Sequence, residues 1–118
     1  MIAVNRTKGT ILGDRIDRAE TFFRRLAGLL GRRPLSAGEG LWIVRCRSVH
    51  SVGMRYPIDV LFLDETGKVI GIYPGFPPAR LTRFHPRAKG ALELPHGIVE
   101  RTGTASGDIV EFLEEAVQ

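Results

Sequence analysis

Apolar residues recur along this chain at two different spacings. In "DRAETFFRRLAGLLGR", Phe22, Leu26, Leu29 and Leu30 fall on one helical face with Phe23 beside them. The spacing predicts an amphipathic N-terminal helix, capped at Asp17 or Thr21 and stopped by Gly31, Arg32, Arg33 and Pro34. After the loop "LSAGEG" the apolar runs shorten. "LWIVRCRS" predicts a strand over 41–48, and "PIDVLFLDETGKVIGIYP" predicts a hairpin of 57–63 and 68–73 around the turn "DETG". Gly67 supplies the left-handed residue that such a turn commonly needs. "ALEL" predicts a short strand. "PHGIVERTG" predicts one helical turn from Pro95 to Gly103, and "SGDIVEFL" a turn and a last strand.

Short, hairpin-linked strands punctuated by Gly and Pro favour an α+β chain that is mostly β. The expected fold is an antiparallel β roll or small barrel with one packed N-terminal helix and a short second helical turn, forming a single domain over 1–118. The stretch "PGFPPARLTRFHPRAKG" holds four of the seven prolines and forms the one long connection. Long connections are commonly functional, so the loop over 74–90 is read as the lid of a site.

Composition sharpens this picture modestly. A 43% hydrophobic and 25% charged chain is globular in kind. One cysteine excludes an internal disulfide and fits a reducing compartment. "MIAVNRTKGTILGDR" lacks the run of about 7–15 apolar residues that a signal peptide needs. No run reaches the roughly 18 residues of a membrane span. A cytoplasmic protein with no membrane partner is expected. Net charge is +4, and fourteen of the seventeen cations are arginine. The cations are interspersed with acids, there is no basic tail, and Trp42 and the two tyrosines are not spaced as a stacking platform. Nucleic acid is therefore not the expected partner.

Candidate chemistry concentrates in "RCRSVHSVGMRYPID", residues 45–59. A continued strand would place Cys46, Ser48 and His50 on one face and Arg45, Arg47 and Val49 on the other. Strand residues four apart lie about 13 Å apart. A Cys–His nucleophile pair needs about 2.6–3.2 Å between polar atoms. Cys46 then reads as a small packed hydrophobe rather than a nucleophile. His50, His85, His96, Cys46 and Asp59 show no metal-ligand spacing, so no metal and no cofactor are expected. Asp59 sits inside an apolar run, where a carboxylate is costly to bury unless paired. Its expected partners are Arg47, Arg55 or loop N–H groups. The expected site is a ligand-binding rim of Arg47, Ser48, His50, Arg55 and Asp59, without catalytic residues, suited to an anionic small molecule or an acidic protein segment. The alternatives are a small enzyme using Cys46 or an Asp59/His50 pair, and a nucleic-acid-binding barrel.

"FFRRLAGLLGR", "GLWI", "MRYPIDVLFLDETGKVI", "ALELPHGIVERTG" and "SGDIV" occur in order from about 21 to 110. In these segments the chain resembles the domain of unknown function numbered 192, a group of small prokaryotic proteins. The resembling positions include Gly40, Pro57, Asp59, Asp64, Gly67, Glu93, Gly97, Gly107 and Asp108. The resemblance implies a compact, strand-dominated α+β fold and supplies no activity. Where many members carry an aromatic-Met-Lys-Asn-Thr segment, this chain reads "HSVGM", so no role of that segment transfers.

Overall fold

In the computed structural model, residues 1–20, 34–52 and 54–114 are described. They form strands β1 (Ile2–Asn5), β2 (Thr10–Gly13), β3 (Arg15–Ala19), β4 (Glu39–Val44), β5 (Ile58–Leu63), β6 (Val69–Phe76), β7 (Gly90–Pro95) and β8 (Val110–Leu113). One short helix, α1 (Ile98–Thr102), lies between β7 and β8. The helix expected over the Phe22–Leu30 stretch lies outside the described residues.

β5 is the centre of the molecule. It pairs with β6 on one side and β7 on the other, and all six of its residues are buried. Burial on both faces explains its unbroken apolar run. Alternation sends Leu61 and Leu63 into a core with Ala3, Leu12, Leu92, Leu94, Ile98 and Val110. Ile58, Val60 and Phe62 enter a second core with Val49, Met54, Phe76, Ala88 and Ala91. The first face is thus covered by the β2-β1-β8 sheet and α1, and the second by the segments around 49–54 and 76–88.

The mostly-β α+β class and the roll hold, with two differences. Strand order in the larger sheet is β3-β4-β7-β5-β6, and its β3–β4 pair is parallel. The two sheets do not close on each other as a barrel: β3 and β6 end one, β2 and β8 the other. Pro74 is tolerated within β6 because that strand is an edge.

The first and last parts of the chain are joined by a buried polar knot. The Asn5 side-chain amide donates to Thr104 Oγ1 and Asp108 Oδ2, each at 3.0 Å. Lys8 Nζ reaches the same Asp108 carboxylate at 2.8 Å, and the Ala105 N–H donates to it at 3.0 Å. These contacts, led by the Asn5 amide, hold the Asp108 carboxyl down at about 2.

Candidate basic groove

The expected strand over 41–48 stops at Val44. Arg45 has φ 60, a left-handed conformation uncommon for a residue with a side chain. Its N–H donates to the Lys89 carbonyl at 2.6 Å, and the Lys89 N–H donates to Leu63 at 2.7 Å. These bonds turn the chain out of the sheet where β4, β7 and β5 end together, with Val44 and Leu63 both opposite Gly90. The one-face grouping of Cys46, Ser48 and His50 as a continuous strand is therefore corrected: its geometric premise ends at Arg45.

A groove of about 850 Å³ opens at this end of the sheet. Arg18 from β3, Arg45, Arg47, Arg87 and Lys89 line it, with Asp64 and Glu65 of the β5–β6 turn on one wall. Among the described residues, no ion pair engages Arg45, Arg47, Arg87 or Lys89. Asp64 is committed to its turn. Its Oδ1 accepts the Thr66 hydroxyl at 2.7 Å, the Thr66 N–H at 2.9 Å and the Lys68 N–H at 3.0 Å. Chiefly through that hydroxyl, its carboxyl is held below the usual range. Five cations face two acids, so the groove focuses positive potential.

Next to it, Cys46, Ser48 and Phe84 line a recess that shares Val44, Arg45 and Arg47 with the groove. Cys46 is half-buried against the second core, and its thiol donates to the Ser48 carbonyl at 3.0 Å.

The long loop is pinned rather than poised as a lid. The Thr82 N–H donates to Val49 at 2.9 Å, and the Val49 N–H returns to Thr82 Oγ1 at 2.9 Å. Ser51 receives the Arg80 N–H on its hydroxyl and donates that hydroxyl to Pro77 at 2.6 Å. His50 forms an antiparallel bridge with Leu81. Further along, the His85 ring stacks on Phe62 at 4.3 Å between centroids and meets the Tyr73 hydroxyl at 2.7 Å. The Tyr73 oxygen also receives the Arg83 N–H at 3.3 Å. Desolvation first, then the Arg83 charge, lowers the His85 pKa.

The expected rim is divided. Arg47 lines the groove and Ser48 the recess, while His50 belongs to the bridge with Leu81 and Arg55 is exposed. Asp59 is at the opposite end of β5 from Leu63, about 13 Å along the strand. It is fully buried, at 0% exposure. Its Oδ1 accepts the Gly75 N–H at 2.8 Å, and its Oδ2 accepts Gly97 at 3.1 Å and Val99 at 2.8 Å. Of the partners expected for Asp59, the loop N–H groups are the ones found. The carboxylate caps α1 and the β6 end through these three bonds. Arg18, Arg45, Arg87 and Lys89 were not expected in the site. Only the alternation of arginine in "RCR" hinted at one of them.

Among the described residues, no three His, Cys, Asp or Glu side chains converge as a metal site would, and no helix is long and apolar enough to cross a membrane.

The family model described as Uncharacterized ACR, COG1430 (domain of unknown function 192) matches residues 3–112. The chain belongs to this family. A UPF0127 protein of Thermococcus sibiricus is 30% identical over 117 residues, covering 92% of this chain and 73% of its own. A UPF0127 protein of Pyrococcus furiosus is 31% identical over 112 residues, covering 92% and 96%. A crystal structure of a protein of unknown function from Novosphingobium aromaticivorans has a similar fold, with TM-score 0.81, 24% identity, and coverage of 94% of this chain and 83% of the other. The family carries no assigned activity, and its relatives here include archaeal ones.

Proposed function

We propose that this family member is a non-catalytic binding module that takes an anionic small molecule in the groove of Arg18, Arg45, Arg47, Arg87 and Lys89. The observation that carries the reading is the gathering of cations from three separated parts of the chain, four of them without an ion pair among the described residues. Arginine forks bind phosphate or carboxylate oxygens in pairs, and charge-assisted bonds of this kind are each worth about 1.5–3 kcal/mol. Arg45 supports the reading further. A left-handed non-glycine residue costs of order 1–3 kcal/mol, and such strain clusters at ligand clamps.

The test is a thermal-shift and calorimetric screen with pyrophosphate, tripolyphosphate and citrate at low and high salt. Tripolyphosphate at about 100 times its Kd is expected to stabilise the fold by about 2.7 kcal/mol. The gain should shrink with salt and disappear in an Arg47→Ala/Arg87→Ala variant. If no anion shifts the wild-type protein, or the double variant responds equally, the reading fails.

A further inference from the structure

Segments 45–52 and 77–89 lie against one another through the His50–Leu81 bridge and the Val49, Ser51, Arg80 and Thr82 bonds. Together they carry six of the seventeen cations and none of the thirteen carboxylates. The rest of the chain holds eleven cations and thirteen acids, a net of −2 against +6. These two segments are therefore far more basic than the chain's total of +4 indicates.

The same pair of segments is amphipathic in an unusual sense. Alternation turns Val49, Ser51 and Thr82 inward, and all three are buried. Val52 and Leu81 then face outward. Val52 is 61% exposed, Leu81 70%, and Phe84, just past Thr82, 64%. Single exposed apolar residues are ordinary. Here three of the five large hydrophobic residues exposed among the described residues fall on two adjoining, carboxylate-free segments, with exposed Arg80 and Arg83 beside them.

We propose that this face docks peripherally on an anionic lipid bilayer, with Leu81, Phe84 and Val52 entering the boundary between headgroups and acyl chains. Charge complementarity selects the partner: each Lys or Arg near an anionic leaflet contributes about 1 kcal/mol, and while Asp64, Glu65 and Glu20 stand beside the cations of the groove and recess, Arg80 and Arg83 next to Leu81 and Phe84 line neither. The interleaving of apolar and arginine side chains matches an interfacial segment. The sequence expectation of no membrane partner followed from the absence of a spanning segment, which surface docking does not require. The proposal does not rest on the reading of the groove.

Co-sedimentation with equimolar phosphatidylglycerol–phosphatidylcholine vesicles tests it, with pure phosphatidylcholine vesicles alongside. The protein is expected to bind the anionic vesicles, less so as salt rises, and not the neutral ones. A Leu81→Ser/Phe84→Ser variant, altered only at exposed positions, should keep its melting temperature and lose roughly tenfold in vesicle partitioning. Arg80→Glu/Arg83→Glu should lose at least as much. Arg18→Ala should keep vesicle binding even where it weakens free-anion binding, which separates this surface from the groove. No binding to anionic vesicles, equal binding to neutral ones, or unchanged partitioning of the Leu81/Phe84 variant overturns the proposal. Capture on a polyglutamate resin without vesicle binding also overturns it, and assigns the face to an acidic protein.

Discussion

The carboxylate of Asp59 accepts the backbone N–H of Val99 at 2.8 Å, across 40 residues of chain. That bond joins the central strand to α1. With the Gly75 and Gly97 bonds it makes one buried side chain the anchor for two loops. Asp59→Ala should therefore destabilise the fold by about 2–4 kcal/mol, since three N–H groups lose their acceptor in a dry site. Asp59→Asn, which keeps one carbonyl oxygen, should cost less. Urea midpoints at constant m-value check this, and a loss below about 1 kcal/mol for Asp59→Ala would contradict the anchoring role.

Asp108 predicts the acid limb of stability. Its carboxyl sits at about 2 when folded, against an ordinary 3.8. A depressed carboxyl pKa stabilises the fold above the unfolded value, so the contribution is complete above about pH 4. It is lost as pH falls through 3.8 toward 2. Asp108→Asn should lower stability at neutral pH and flatten the decline over that window. Parallel acid slopes for variant and wild type would remove Asp108 from the account.

His85 predicts a second titration of the same sign at higher pH. Its pKa is lowered below 6.5 by desolvation and by Arg83, so the folded state favours the neutral ring. That contribution is complete above pH 6.5 and declines as pH falls through 6.5 toward the folded pKa. An NMR titration of the ring proton should place His85 below the ordinary histidine value. Tyr73→Phe should cost about 1 kcal/mol by removing the bond to Nε2.

Gly90 is where the ends of β4, β5 and β7 meet. A Cβ there would lie 2.5 Å from the Ile43 carbonyl oxygen and 2.6 Å from the Trp42 ring. Gly90→Ala should destabilise the fold by about 1–3 kcal/mol. If the groove binds anions as proposed, it should also weaken their binding, because Lys89 and Arg45 are positioned from this point. Full stability in the variant would show that the neighbours can give way.

Much of the fold was legible locally. The run 57–63 announced a hairpin strand, the Asp64 and Gly67 turn announced the hairpin, and Gly103 marked the end of α1, whose start falls at Ile98 after Gly97 rather than at Pro95, the last residue of β7. Each of these signals sits within a few residues of the structure it specifies. β1, β2 and β3 were not legible, because strands of four or five residues leave little room for alternation. The parallel pairing of β3 with β4 had no local mark at all.

The sequence by itself determined which residues needed a core, where the chain turns, and that Asp59 had to find partners inside an apolar strand. Only the tertiary structure decided who those partners are, and which arginines share a groove. Donors 16, 38 and 40 residues away satisfy Asp59. Arg18 meets Arg87 only because three strands end at one place. Periodicity encodes which face of an element is buried. Which elements then lie side by side is set by the joint packing of all of them, and that packing puts backbone donors around Asp59 and a cation-lined groove at the far end of its strand.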